Sequence, residues 1–369
     1  MIIDLQIIII ACLVAISASL LGVFLVLRGV SMMSDAISHC VLLGIVGIFF
    51  LVKNLHSPLL IIGAMLTGFL AVLLIEYFIN STQMKSDSAI GLVFPFFFAV
   101  AILLINLFAS SIHIDEQCVL LGEIGFAPLN RLIIYGKDIG PVAIWTMSIV
   151  LVINCLFVIT FYKELVCSVF DRLLSFSLGF KPTFIYYGLM LCVSLTTVGA
   201  FDAVGSILII ALMITPPATA YLLTLKLRQM IIYSIGIGCV NSIVGYYVAV
   251  FYDASITGSI CIVAAVNFLL AFIFSKHHGL LMRYYLHKQQ QLEFSSVLLT
   301  IQLLDHEHTE MEPFENSFEN LIVHMKWPIT FSNKVVAYCL KKEWVVHQQD
   351  YFVLTDLGRE IAKKALIAV

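Results

Sequence analysis

Long runs of apolar residues, separated by short polar connections, dominate the first three quarters of the chain. Nine runs can be drawn, each close to the 20 or so residues that a helix needs to cross a hydrocarbon layer. They lie at about 5–27, 31–52, 57–79, 88–110, 141–162, 183–201, 204–225, 230–251 and 256–275. Residues 183–225 carry a single charge, Asp202, and we divide them at Ala200–Ser206; one long tilted helix with a re-entrant piece would give a similar pattern. The pattern predicts an all-α polytopic membrane protein with about nine transmembrane helices.

Basic residues in the connections indicate which side of the membrane each one faces, because cytoplasmic loops are enriched in Lys and Arg. With the N-terminus outside, eight basic residues fall on the cytoplasmic side: Arg28, Lys85, Lys163, Arg172, Lys181, Lys226, Arg228 and Lys276. Three fall outside: Lys53, Arg131 and Lys137. This asymmetry predicts that the N-terminus lies outside and the C-terminus lies in the cytoplasm.

Composition agrees with a membrane protein and excludes several classes of function. Of 369 residues, 61% are hydrophobic and 12% are charged, and the mean hydropathy is +1.04, which excludes an ordinary soluble domain. The nine cysteines are scattered without a CxxC pair, so we interpret them as reduced apolar residues. The sequence has no GxxxxGK(S/T) phosphate loop, no HExxH and no GxSxG. We therefore expect no enzyme activity of its own and no ATP hydrolysis through such a loop.

The most informative polar residues lie in the second apolar run, within SMMSDAISHC (Ser31–Cys40). Asp35 and His39 are four residues apart, so on a helix they share one face with about 6 Å of rise between them. A carboxylate and an imidazole placed in this way can bind one divalent cation, which would compensate the cost of a carboxylate in hydrocarbon. Alternatively, the two side chains form a neutral hydrogen-bonded pair that faces another helix.

Five more segments occur in a recognisable order around this one. They are GVFLVLRG (Gly22–Gly29), SAIGLVFPFFFAVAILL (Ser88–Leu104), HIDEQCVLLGE (His113–Glu123), YKELVCSVFDRLLSFSLG (Tyr162–Gly179) and VGSILIIALMITPPATA (Val204–Ala220). Together with SDAISH, they resemble the permease subunits of manganese, zinc and iron ATP-binding-cassette importers, over roughly residues 1–280. The resemblance implies that Asp35 and His39 coordinate the transported Mn²⁺, Zn²⁺ or Fe²⁺, with no cofactor bound permanently.

The same resemblance implies a location and partners. The location is a prokaryotic plasma membrane, where the chain would contact membrane lipid. The partners are two ATPase subunits, a second permease copy or a homologous permease, and an extracytoplasmic metal-binding lipoprotein. A runner-up in the same class is an importer of a larger metal chelate, such as a siderophore or corrinoid, which would need a wide pathway lined by aromatic residues.

Two polar connections have predicted roles. On the outer side, His113, Asp115 and Glu116 form a possible metal relay at the mouth of the pathway or a solvated loop, and Gln117–Ile139 is expected to lie along the interface as a partly re-entrant helix. On the inner side, Tyr162–Phe184 has the spacing of a short amphipathic helix. It either lies on the membrane or resembles the family's coupling helix, which implies that Glu164, Asp171 and Gly179 link the chain to the ATPase.

The chain changes character after the last apolar run, which separates a transmembrane permease domain (1–280) from a cytoplasmic domain (281–369). Helical patterns at about 292–306, 313–325 and 330–342 precede two short strands, Trp344–Val346 and Tyr351–Leu354, and a helix that Thr355 caps. This order, with LTDLGREIA, weakly resembles the winged-helix domain of DtxR-like metal-dependent repressors. We therefore predict a small winged-helix-like α+β domain.

The function of this second domain is open between two hypotheses. It could bind DNA through 330–342, which would make the protein a membrane-anchored metal-responsive regulator. However, nine Lys and Arg residues against eleven Asp and Glu leave it with a net charge of −2, whereas phosphate binding needs a basic surface. The charge favours an interaction module that contacts protein and argues against nucleic acid as a partner. Within this hypothesis, His306, His308 and His324 are candidate residues for sensing metal.

Overall fold

The computed structural model describes residues 2–53, 59–82, 84–108, 124–134, 137–276, 279–309, 311–348 and 350–367. The chain divides into two compact units, Met1–Gly279 and Leu280–Val369. In chain order, the elements of the first unit are α1 (Ile2–Arg28), α2 (Met33–Val52), α3 (Leu59–Thr82), α4 (Ser86–Phe108), β1 (Arg131–Ile134), β2 (Lys137–Pro141), α5 (Val142–Thr160), α6 (Tyr162–Phe170), α7 (Arg172–Ser177), α8 (Pro182–Leu223), α9 (Leu227–Tyr252) and α10 (Ile256–Phe274). Within the described ranges, eight of these helices are long and apolar enough to cross a membrane: α1–α5 and α8–α10.

Helix α1 lies at the centre of the first unit. Nearly every position from Ile10 to Leu25 is buried, as expected for a helix that is apolar on all sides. It packs against α5, α8 and α9. The contact with α8 requires a glycine at position 22, because a Cβ there would come within 3.0 Å of Pro217 and of the Met213 carbonyl group.

Helix α8 reverses direction, as two sets of hydrogen bonds to α1 show. The side-chain amide of Asn154 donates to both Ser17 Oγ (2.8 Å) and Thr196 Oγ1 (2.7 Å). Two residues further along α1, Ser19 Oγ donates to the Leu212 carbonyl at 3.4 Å. A straight helix would separate Thr196 from Leu212 by about 24 Å along its axis. Both can lie beside the same turn of α1 only because the chain folds back between them.

The reversal occurs at Gly205, where φ is 75° and ψ is 170°. This conformation is accessible essentially to glycine alone. The predicted division at Ala200–Ser206 is therefore confirmed, and Asp202 is exposed beside the break. Each half of α8 is long enough to cross a membrane, so the eight candidate helices in the described part of the chain supply nine crossing segments.

The connection between α4 and α5 differs from its prediction. An interfacial helix over Gln117–Ile139 is wrong for the part that the structure describes, which contains a 3₁₀ turn at Ala127–Leu129 and the antiparallel hairpin of β1 and β2. An ion pair of 3.0 Å between Arg131 and Asp138 joins the two strands. The relay residues His113, Asp115 and Glu116 lie outside the described residues, so their role stays a prediction.

The second unit combines helices with one hairpin. Its elements are α11 (Leu280–Asp305), α12 (Glu312–Glu315), α13 (Phe318–Met325), α14 (Ile329–Lys341), β3 (Val345–Gln348), β4 (Tyr351–Leu354) and α15 (Asp356–Ile367). Leu299, Leu303, Val335 and Phe352 belong to its buried core. The predicted hairpin and the helix at 330–342 are present, whereas the helix predicted at 292–306 begins earlier, at Leu280, and the one predicted at 313–325 is divided into α12 and α13. Thr355 Oγ1 caps α15 by accepting from the Gly358 N–H at 3.1 Å. The resemblance to a winged helix stays a prediction.

Candidate functional site

Asp35 and His39 lie on the first two turns of α2, on one face. Their closest atoms, Asp35 Oδ1 and His39 Nε2, are 3.4 Å apart. Asp35 is in the first turn, where the N-terminal end of the helix dipole stabilises a carboxylate. The neighbouring serines are buried and donate within the chain: Ser34 Oγ to the Ser31 carbonyl (3.0 Å) and Ser38 Oγ to the Ser34 carbonyl (2.8 Å). The carboxylate and the imidazole are therefore the groups of this motif available to a ligand.

The packing of α2 places this pair near mid-height in the bundle. The His39 ring stacks on Phe94, with centroids 5.4 Å apart, and meets Phe98 edge-on at 5.8 Å. Both phenylalanines lie near the centre of α4. On another side of α2, a Cβ added at Gly68, in the middle of α3, would lie 3.0 Å from Ile37. The pair thus lies beside the central turns of α3 and α4.

The pair is not enclosed by the helices of the first unit. The side chains of Asp35 and His39 are 36% and 29% exposed. Continuing at i+4 spacing, Leu43 is half-buried and Gly47 is exposed. A Cβ added at Gly47, or at Gly91 on the neighbouring α4, would meet no heavy atom within 4 Å. We call this surface the α2–α4 face; its members are Asp35, His39, Leu43, Gly47, Gly91, Phe94 and Phe98.

The described part of the chain places two candidate metal ligands together here, Asp35 and His39. In the portions of the chain that the structure describes, no group of three or more His, Cys, Asp or Glu side chains could hold a metal ion. Divalent transition metals bound by nitrogen and oxygen take four or more ligands. The Asp35–His39 pair therefore has the chemistry of half a site, with its open side on the α2–α4 face.

The second set of predicted residues belongs to the amphipathic segment between α5 and α8. Asp171 separates α6 from α7 and caps α7, because its Oδ1 accepts from the Leu174 N–H at 2.9 Å. Gly179 ends the segment with φ of 82°, which favours glycine. Glu164 lies in the first turn of α6. The exposed side chains of α7 include Leu173 at 82% and Phe176 at 74%, so this short helix presents an apolar surface outward.

Sequence reasoning missed a group of polar contacts at the end of α1. Arg28 Nη2 donates to Ser168 Oγ of α6 at 2.9 Å, and the guanidinium lies 5.0 Å from the centroid of the Tyr186 ring of α8. Glu76 of α3 lines the same cavity of about 310 Å³. In the sequence, Arg28 is a basic residue at the end of an apolar run, and this position alone indicates only which side of the membrane it faces.

In the second unit, the helix predicted to recognise DNA, α14, packs one face against the core of the unit. Ser332, Val335 and Cys339 of α14 are buried. Burial raises the pKa of the Cys339 thiol to about 11, which keeps it neutral, and the thiol donates to the Ser296 carbonyl at 3.8 Å. Among the basic residues of this unit, Arg359 is already paired with Glu307 at 2.7 Å and with Asp356 at 2.6 Å.

Relatives of known type match most of the chain. It is 41% identical over 361 residues to the zinc transport system membrane protein TroD of Treponema pallidum, an alignment that covers 98% of each chain and so extends through the second unit. It is 41% identical over 269 residues to the manganese transport system membrane protein MntD of Bacillus subtilis, covering 73% of this chain and 91% of the relative.

A solved structure is also similar in fold. The structure of PsaBC from Streptococcus pneumoniae in complex with a Fab superimposes with a TM-score of 0.62 and 34% sequence identity, covering 77% of this chain and 95% of that one. The family match itself extends over residues 3–275. This match, together with the identity to relatives along most of their length, shows that the chain belongs to the ABC 3 transport family.

Proposed function

We propose that this chain is the permease subunit of an ATP-binding-cassette importer that moves Mn²⁺, Zn²⁺ or Fe²⁺ into the cytoplasm of a prokaryote. The observation that carries the proposal is the Asp35–His39 pair, 3.4 Å apart at mid-height in an apolar bundle. Ionisable residues at such a depth are costly and typically mark an ion pathway. The names of the zinc and manganese relatives support the same class of substrate. Oxygen and imidazole ligands suit Mn²⁺ and Zn²⁺ about equally, so the pair leaves the choice of metal open.

The α2–α4 face is where a second permease, either a copy or a homologue, completes the site. Asp35 and His39 side chains that are about a third exposed cannot face lipid at low cost, so this surface needs a protein or aqueous neighbour. Gly47 and Gly91 leave room for a helix to approach closely, as small residues do at membrane helix contacts. Asp35 and His39 from each half would then supply four ligands.

Energy for import comes from separate ATPase subunits. In this proposal, α6 and α7 dock on the ATPase through Glu164, Asp171 and Gly179, and the exposed apolar side chains of α7 are part of that contact. The N-terminus lies outside and the C-terminus in the cytoplasm, as the distribution of basic residues predicts. A metal-binding lipoprotein delivers the ion on the outer side, where His113, Asp115 and Glu116 would receive it.

The second unit acts as an assembly or regulatory module that contacts protein. Its net charge of −2 argues against a phosphate-binding surface, and Arg359, one of its nine basic residues, is already paired with two carboxylates. The alternative, a membrane-anchored metal-responsive regulator, would need this unit to bind DNA.

Metal uptake in proteoliposomes tests the proposal. The purified permease is reconstituted with its partner permease and ATPase, and uptake of each ion is measured with and without ATP. Wild type should import at least one of the three ions only when ATP is present. Asp35→Ala and His39→Ala should each abolish uptake without preventing membrane insertion or ATPase assembly, because each removes a ligand that no neighbouring side chain replaces.

The matched control is Ser38→Ala, which lies on the same turns of α2 but whose hydroxyl bonds to its own helix. It should import at nearly the wild-type rate. Near-normal uptake by both ligand variants would remove the proposed site. Import of a bulky chelate in place of free ions would favour the runner-up function.

A further inference from the structure

The end of α1 is joined to the amphipathic segment by one side chain. Arg28 Nη2 donates to both the hydroxyl and the carbonyl oxygen of Ser168, at 2.9 and 3.4 Å. Ser168 is buried on the inner side of α6. The same guanidinium lies over the ring of Tyr186 in the first turns of α8, a cation–π contact that holds its plane. Arg28 therefore joins the end of α1 to α6 and α8, which both begin more than 130 residues later in the chain.

This contact borders a polar cavity. The cavity has a volume of about 310 Å³, and Glu76, Ser86 and Arg172 also line it. Two of its polar atoms, Arg28 Nε and Ser86 Oγ, are buried without a hydrogen-bond partner among the described residues. The guanidinium is therefore held by α6 and α8 on one side and faces this cavity on the other.

The residues that follow Arg28 in the chain lead directly to the Asp35–His39 pair. Gly29 follows with φ of 69°, a conformation that glycine adopts without strain. The Val30 N–H donates to the Leu25 carbonyl, and the Met33 N–H donates to the Val30 carbonyl, so the connection is a short bonded turn. Helix α2 starts at Met33, and Asp35 is in its first turn. Asp35 therefore follows Arg28 by seven residues, which are arranged as a hydrogen-bonded turn and the start of α2.

We infer that Arg28 is the positioning residue that transmits movement of the amphipathic segment to the Asp35–His39 pair. The inference rests on the proposed function, in which α6 and α7 contact the ATPase. Movement of α6 carries Ser168, Ser168 carries the guanidinium, and the turn at Gly29 rotates the start of α2. Asp35 then changes its position relative to the ligands from the second permease, which alters the affinity of the site for the cation. Arginine suits this role because its planar group presents several N–H donors in a fixed geometry, so it can bond to Ser168 while it lies over the Tyr186 ring.

A double-mutant cycle in the reconstituted transporter tests this inference. The variants are Arg28→Ala, Ser168→Ala and the two combined, and the readout is the number of ATP molecules hydrolysed per metal ion imported. Arg28→Ala should assemble and hydrolyse ATP but raise this ratio about tenfold, the size expected when a charge-assisted hydrogen bond is lost. Ser168→Ala, a small change that should not impair folding, should raise it less. The double variant should be no worse than Arg28→Ala, because both changes remove the same link.

Two further variants make the test specific. Arg28→Lys should restore the ratio only in part, since it keeps the charge but not the planar geometry. Lys226→Ala removes an exposed basic residue from the connection between α8 and α9 and should leave the ratio unchanged. A wild-type ratio in Arg28→Ala, or effects of the two single changes that multiply independently, would overturn the inference. Absence of ATP-dependent import by wild type would instead count against the proposed function.

Discussion

Asp35 and His39 illustrate how two ionisable side chains can persist in an apolar bundle. Each is only about a third exposed, and His39 gains aromatic contacts with Phe94 and Phe98 that fix its ring. The helix N-terminus stabilises the Asp35 carboxylate. These local interactions hold the two side chains on one face, but two ligands from one chain leave a cation under-coordinated. The α2–α4 face is therefore more informative about function than the pair considered alone.

Two glycines of α2 allow the buried and the open sides of this helix to be tested separately. Gly44 touches α3, where an added Cβ would come closer than 3.0 Å to the Gly63 carbonyl group and the Thr67 side chain. Gly44→Leu should therefore lower the midpoint of thermal unfolding in detergent, with a loss of about 1–3 kcal/mol or more from overpacking. Gly47→Leu, one turn away in open space, should leave the midpoint unchanged.

The Gly47→Leu variant also tests assembly with the second permease. Gly47→Leu should weaken pairing with the second permease, measured as the fraction of paired species by analytical ultracentrifugation, because it adds bulk to the α2–α4 face. Gly91→Leu adds bulk to the same face from α4. Normal pairing by both variants would show that the second permease does not pack on this face.

The amphipathic segment consists of two short helices whose limits are set by the residues at their ends. Helices α6 and α7 are too short to be stable alone, and a cap at Asp171 and a left-handed residue at Gly179 define their limits. On its inner side, the segment is anchored by Leu165 and Ser168. Its outward side exposes Phe170, Leu173 and Phe176. An exposed apolar surface of this kind occurs both on helices that lie on a membrane and on helices that dock on another protein.

Combining Asp171→Ala with Gly179→Leu should uncouple the transporter. The first change removes a helix cap worth about 1 kcal/mol, and the second forces a side chain into a left-handed conformation at a cost of about 1 kcal/mol or more. We expect metal-stimulated ATP turnover to fall towards the basal rate. Ser177→Ala, at an exposed position within α7, is the control and should keep the stimulation. Unchanged stimulation in the double variant would mean that the segment only lies on the membrane.

The division into two units determines which parts of the protein depend on each other for folding. The first unit satisfies its own backbone, because each membrane-crossing helix closes its hydrogen bonds internally. The second unit has its own buried core, which includes Leu299, Leu321 and Val335. The alignment with the zinc relative extends through this unit, whereas the manganese relative matches 73% of the chain.

Deleting residues 280–369 should leave a permease that inserts, pairs and binds the ATPase, but with altered regulation or subunit affinity. The readouts are ATP turnover and the affinity of the purified ATPase for the truncated permease. As a control, Arg359→Ala should loosen only the second unit, since it breaks contacts with Glu307 and Asp356. Specific, salt-sensitive binding of the full-length protein to promoter DNA would contradict an interaction role and support the regulator hypothesis.

Local pattern was sufficient for most of the architecture. Apolar runs of about 20 residues mark the crossing segments, because every backbone group in a membrane must be paired within its own helix. The i, i+4 spacing of Asp35 and His39 places them on one face whatever surrounds α2. The spacing of apolar residues and the cap residues likewise indicated helices and a hairpin in the second unit, including the cap at Thr355. These features depend on neighbours within a few residues, so a single sequence contains them.

Contacts between distant segments decided the rest. Whether α8 folds back or forms one tilted helix depends on distant contacts with α1. Ser19 donates to the Leu212 carbonyl. Asn154 donates to both Ser17 and Thr196. The partners of Arg28 lie on α6 and α8, and hydropathy contains no information on which helices meet. The hairpin of β1 and β2 replaced a predicted helix because pairing across the turn outweighed a weak local preference. The open side of α2 emerged only once the packing of its neighbours was known, because burial is a property of the assembled helices.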